Sequence, residues 1–146
     1  MTATVPFTPS TIAYDPPAQY ILTIVPAPGS ILDVVTKQFP NTASLIYKAS
    51  QQKLYTTDNM VTLVISKSFT YNPHILTSRA IDICRSITVN RKLNFSALRY
   101  SPLFILRTLA NPVNLLISTI DNITYINDNP VLYSIECTNG IIYVVP

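Results

Sequence analysis

The sequence predicts a single α+β domain. Its framework is mostly antiparallel β and ends in a C-terminal β-meander. Two or three helices pack on that framework, and an extended, proline-containing N-terminal arm precedes it. Three observations carry this reading. "MVTLVISKSF" (60–69) alternates, with Val61, Leu63 and Ile65 on one face and Thr62 and Ser66 on the other, the period of a half-buried strand. Leu76, Ala80, Ile83, Cys84 and Ile87 recur at helical spacing and share one stripe about 100° wide. The last third holds the apolar runs "ITYI", "VLYSIEC" and "IIYVV", separated by "NDNP" and by Asn139-Gly140, a dipeptide suited to a tight hairpin.

Taken in order, residues 1–17 carry Pro6, Pro9, Pro16 and Pro17. Proline locks φ and pushes its predecessor toward extended geometry, so this segment reads as an arm, with the domain occupying 18–146. "QYILTIV" (19–25) reads as a strand stopped by Pro26. Ser30 is placed to cap a helix running to about Gln38, with Ile31, Val34 and Val35 on one side and Pro40 ending it. "TASLIYKASQQKLY" (42–55) fits a helix or two short strands. After the strand at 60–68, a helix is expected over 73–89, with Asn72 as cap and Pro73 at the first helical position.

Ser101-Pro102 and Asn111-Pro112 repeat that cap-plus-proline signal. Residues 102–120 are therefore expected to form two short helices, or one helix kinked near Asn111, with Val113, Leu116, Ile117 and Ile120 as the apolar stripe. The run is apolar enough to raise the question of a membrane span. Arg107 near its middle and two proline breaks argue against one, since lipid cannot replace lost backbone hydrogen bonds. No transmembrane segment is expected.

Composition narrows the function. Of 146 residues, 48% are hydrophobic and only 12% charged, about half the usual charged share. Sparse charge favours a protein that covers part of its surface with copies of itself, a partner or a lipid face. With two glycines in the chain, a phosphate-cradling loop of the usual kind cannot be built. His74 stands alone as the only histidine, in the first turn of the expected helix, where capping or surface duty suffices. Cys84 and Cys137 define neither a disulfide framework nor a metal spacing, and Cys84 lies on a core-facing stripe. The seven carboxylates are scattered. No catalytic residue, metal or cofactor is expected. The N-terminus shows no basic segment leading into an apolar run, so an intracellular setting is expected (cytoplasm or nucleus), or a particle assembled there.

Charge is better organised than chemistry. Arg79, Arg85, Arg91, Lys92, Arg99 and Arg107 lie within 79–107 against Asp82 alone, whereas 108–146 holds Asp121, Asp128 and Glu136 and no cation. The basic segment suits nucleic-acid backbone, an anionic membrane surface, or the acidic end of another copy. Net charge of +3 is low for a dedicated DNA-binding domain. The leading expectation is a non-enzymatic structural or assembly protein that self-associates as a homo-oligomer, of the capsid or matrix type found in virions. Phe7, Ile12 and Tyr14 of the arm and Val113, Leu116, Ile117 and Ile120 are its expected contacts. Nucleic-acid binding through the basic segment is the alternative, and a small enzyme whose site only the fold assembles is the third reading.

Overall fold

The computed structural model describes residues 26–58, 60–93, 103–110 and 114–146. They form a mixed α+β domain in three layers. Helices α1 (Ile31–Gln38), α2 (Pro40–Lys48) and α3 (Thr77–Ser86) make the first layer, with a 3₁₀ turn at Gln52–Tyr55. The central sheet holds β1 (Val61–Ser66), β2 (Thr88–Val89), β7 (Tyr133–Cys137) and β8 (Gly140–Val145), in the order β2-β1-β8-β7. The outer sheet is an antiparallel meander of β3 (Leu103–Arg107), β4 (Asn114–Ile120), β5 (Ile123–Ile126) and β6 (Asn129–Pro130). The arm and the expected strand at 19–25 lie outside the described residues.

The central sheet is apolar on both faces, because both are covered. Leu63, Ile65, Ile142 and Val144 face the helices and pack with Ile31, Val35, Leu45, Ala80 and Cys84. Val64, Ile141, Tyr143 and Val145 face the other way, onto Leu106, Leu115, Ile117 and Ile126 of the outer sheet. Each such aliphatic side chain, fully buried, contributes about 1.5–3 kcal/mol. Hence "IIYVV" reads as a continuous apolar run rather than an alternating one.

β8 pairs antiparallel with β7 and parallel with β1, register Val61↔Gly140 to Ser66↔Val145. The expected meander is thus shared between two sheets. β5 and β6 belong to the outer sheet, and the chain crosses at 130–132 to supply β7 and β8 to the central one. The hairpin at Asn139-Gly140 is present, shifted by one residue: Cys137 pairs with Gly140, leaving Thr138 and Asn139 in the turn.

At this turn the layers are joined. Asn139 is buried, and its Oδ1 accepts from the Ile31 N–H at 2.8 Å while its Nδ2 donates to the Thr57 carbonyl at 2.9 Å. The Val61 N–H donates to the Asn139 carbonyl at 3.1 Å. One side chain thereby caps α1 from a strand turn, and Ser30 adds the local cap by accepting from the Asp33 N–H. Asp33 Oδ2 in turn accepts from the Gly29 N–H at 2.8 Å and pairs with Lys37. Gly140 follows with φ +155°, and a Cβ there would overlap the Val61 carbonyl oxygen. Only glycine lets the two strands approach so closely.

Local expectations fare unevenly. α1 starts and stops where Ser30 and Gln38 suggest, but Pro40 opens α2 at its first position instead of only ending α1. Residues 42–55 resolve to helix followed by a 3₁₀ turn. α3 begins at Thr77, four residues later than expected: Asn72 Oδ1 accepts from the His74 N–H, making a turn rather than a helix cap. Leu76, 72% exposed, therefore precedes the core stripe that Ala80 and Cys84 form.

The clearest correction concerns 102–120. The described residues there form strands β3 and β4, paired from Leu103↔Ser118 to Arg107↔Asn114, not helices. The supposed helical stripe is divided between two sheet faces, Ile117 inward and Leu116 and Ile120 outward. The reversal at Asp121-Asn122 explains why. Both residues have positive φ (53° and 66°), the geometry of a two-residue hairpin turn, and Asn127-Asp128 repeats it (49° and 68°). Two tight turns set a meander that local helix signals cannot oppose.

Gly140→Ala should destabilise the fold by about 3 kcal/mol or more, because β1 backbone must move. Asn139→Ala should cost about 2–3 kcal/mol by leaving the buried Ile31 N–H and the part-buried Thr57 carbonyl without their partner. Urea midpoints measure both, with exposed Thr138→Ala as the near-neutral control. The Gly29 hydrogen bond, aided by Lys37, holds the Asp33 carboxyl below its ordinary value. That contribution is complete above the unfolded-state value, about 4, and is lost as pH falls through the folded-state value. Wild type should therefore lose more stability than Asp33→Asn between about pH 5 and pH 2, measured as urea midpoints across that range.

Candidate functional site

The outer sheet buries one face and leaves the other open. Strand alternation places Ile105 and Arg107 of β3, Leu116, Ser118 and Ile120 of β4, and Ile123 and Tyr125 of β5 on the open face. Ile105 is 67% exposed and Ile120 57%, with Leu116 and Ile123 also exposed and Tyr125 half-buried. Ile105 sits opposite Leu116, and Ile120 opposite Ile123, so these are adjacent cross-strand pairs. The patch is contiguous along two ladders, which sets it apart from single exposed aliphatics that need no explanation. Arg107 is its only charge among the described residues, with Asp121 and Asp128 on the turns at its rim.

The edges of this sheet differ in character from its face. β6 is two residues long and ends in Pro130, which has no N–H to offer a further strand. β3 carries Arg107 on the other edge. Both features discourage strand addition while the face stays apolar.

A second feature lies between α3 and the segment after β3. Arg79, Asp82, Ile83, Arg85, Ser86, Leu109 and Ala110 line an open groove of about 550 Å³. The Arg85 guanidinium donates to the Leu109 carbonyl at 2.7 Å, and the Ala110 N–H donates to the Arg85 carbonyl. The groove thus has two guanidinium groups and one carboxylate, with one guanidinium already engaged by backbone.

The expected basic residues are carried on different elements. Arg79 and Arg85 share the groove, and Arg107 stands on the outer sheet. Arg91 and Lys92 belong to the connector after β2, which crosses the central sheet as the Leu93 N–H bonds Thr62 Oγ1 and the Tyr143 hydroxyl donates to the Leu93 carbonyl. Lys92 pairs with Glu136 at 2.6 Å. Arg99 lies outside the described residues, as do Phe7, Ile12, Tyr14 and Val113. Of the other expected contacts, Leu116 and Ile120 fall on the open face, while Ile117, 1% exposed, is core. Ile105, Ile123 and Tyr125 complete the face and were not expected. The Asp121-Asn122 pair between apolar runs was the signal that would have found them.

Both thiols are free and buried. Burial pushes the Cys84 thiol up to about 12 and the Cys137 thiol up to about 11, so neither is a thiolate at neutral pH. Buried Tyr55 donates to Thr88 Oγ1, which donates to the Cys84 carbonyl, tying the 3₁₀ turn to α3 and β2. His74 is exposed, in the turn ahead of α3. Among the described residues no three His, Cys, Asp or Glu side chains converge as a metal would require, and no helix is long and apolar enough to cross a membrane. No known family model matches the chain, and no curated protein matches it in sequence.

The face assignment is directly testable. Ile117→Ala should cost about 2–4 kcal/mol by opening a cavity between the sheets. Ile120→Ala, three residues along the same strand, should cost under about 1 kcal/mol. Equal losses in urea titrations would contradict the strand.

Proposed function

We propose that this chain is a non-enzymatic structural subunit, of capsid or matrix type, that associates with copies of itself through the open face of the outer sheet. The observation that carries this reading is the contiguous apolar patch of Ile105, Leu116, Ile120 and Ile123 on a sheet whose opposite face is already fully used by the core. Leaving such a patch in water costs about 25 cal/mol per Å² relative to covering it. The low charged fraction supports the same reading, since a chain with few charges has little means of keeping an apolar face solvated.

Nucleic-acid binding by the basic segment draws on Arg79 and Arg85 in the groove. It has less support, because Lys92 is paired and the remaining cations lie on different elements.

Size-exclusion chromatography with light scattering, run from micromolar to hundreds of micromolar protein, tests the proposal. A dimer or larger species is expected, shifting to monomer in Ile105→Glu and Ile120→Glu variants whose circular dichroism is unchanged. A monomer at every concentration overturns it, as does an oligomer indifferent to both substitutions.

A further inference from the structure

The ends and edges of the open face carry more information than its centre. A surface that meets its own copy must place apolar on apolar and must not stack like charges. In the aligned class of sheet packing the strands of two facing sheets run within about 30° of each other, which allows two twofold arrangements, with the axis along the strands or across them.

Positions on the sheet distinguish them. Arg107 is at one end of β3, opposite the first residue of β4. The Asn127-Asp128 turn lies toward the same end but on the far side of the sheet. It is held level with Leu116 by the Asn127 N–H to the Leu116 carbonyl and the Leu116 N–H to Asn127 Oδ1, both 2.8 Å. Asp121 sits at the opposite end, in the turn between β4 and β5, near the middle of the sheet's width.

With the axis along the strands, β3 of one copy lies toward the β5–β6 side of the other. β4 and β5 then lie over the second copy's β5 and β4. Ile120 meets Ile123 of the second copy, Leu116 falls near its own counterpart, and Arg107 comes over the partner's Asp128 in two equivalent pairs. With the axis across the strands, Asp128 instead approaches the partner's Asp121, and Ile123 is carried toward the partner's Asn127-Asp128 turn. The guarded edges, Pro130 on β6 and Arg107 on β3, argue against strand addition as the contact.

Resting on the self-association reading above, we infer that two copies form a twofold β-sandwich, outer sheet on outer sheet, with the axis parallel to β4 and with Arg107 of each copy paired to Asp128 of the other. This arrangement has one built-in conflict: Asp121 lies close to the axis and so near its own counterpart.

Analytical ultracentrifugation at low ionic strength measures the dimer dissociation constant for full-length variants. Because the charged positions are exposed, circular dichroism is expected to stay native. Arg107→Asp and Asp128→Arg should each weaken the dimer by about tenfold or more, as each sets like charges together, and the double variant R107D/D128R should return it to within about threefold of wild type. Asp121→Asn should tighten it. Tightening of the dimer by Asp128→Arg alone, with Arg107→Asp left without effect, overturns this axis in favour of the crossed one, where Asp128 faces the partner's Asp121. A dimer unmoved by every charge change overturns the pairing while leaving self-association standing. A chain that stays monomeric overturns both.

Discussion

The close approach of β8 to β1 is the constraint on which the rest of this structure depends. Residues nearly 80 positions apart lie side by side in parallel register from Val61↔Gly140 onward. β8 is shared by both cores, as its neighbour β1 is, with Ile142 and Val144 against the helices and Ile141, Tyr143 and Val145 against the outer sheet. If it moves, both layers lose their packing surface together. The approach is possible because position 140 has no side chain, and it is locked because the preceding side chain, Asn139, holds α1 on one oxygen and the Thr57 loop on its amide. A buried amide with both ends satisfied contributes specificity at little cost, whereas one with either end missing is a strongly unfavourable defect. The turn is therefore a joint between helix layer and sheet as well as a hairpin.

The layering that follows explains how the sparse charge is used. Three layers have only two broad outer surfaces. The helix side takes Lys37, Arg79, Asp82 and Arg85, all solvent-exposed. Among the described residues the outer sheet takes Arg107 alone on its face, with Asp121 and Asp128 on its turns. In a protein with 12% charged residues, that division leaves one surface well hydrated and the other apolar. The edges of the outer sheet carry a proline and a cation, both of which disfavour pairing of its backbone with a further strand.

Elements whose signals are local are legible in the sequence, and those whose signals are distant are not. Ser30 beside an apolar stripe names α1, and the polar alternation of 61–66 names β1, because in both cases the information lies within a few residues. Asn139-Gly140 was legible as a turn, but not as a cap on α1, since a hydrogen bond spanning 108 residues leaves no trace in spacing. Pro40 is legible as the end of α1 but not as the start of α2, and Asn72-Pro73, which has the signature of a helix start, forms a turn four residues ahead of one. The basic segment was legible as composition, yet its members are carried on α3, a connector and β3, which composition cannot separate.

The misreading of 102–120 has a physical source that bears on function. A strand with one face in water should alternate apolar and polar residues, and β4 does not: Leu115 and Ile117 point inward while Leu116 and Ile120 point outward. With both faces apolar, period two disappears and whatever helical spacing remains, here 113, 116, 117 and 120, dominates the reading. Strands of this kind are ordinary when both faces are buried, as β8 shows in this same chain. β4 has the sequence of a doubly covered strand but is covered on one side only. The property that concealed the strand is thus the one that marks its open face: β4 carries apolar residues on both sides, as an inner strand does, and only the side of Leu115 and Ile117 is buried.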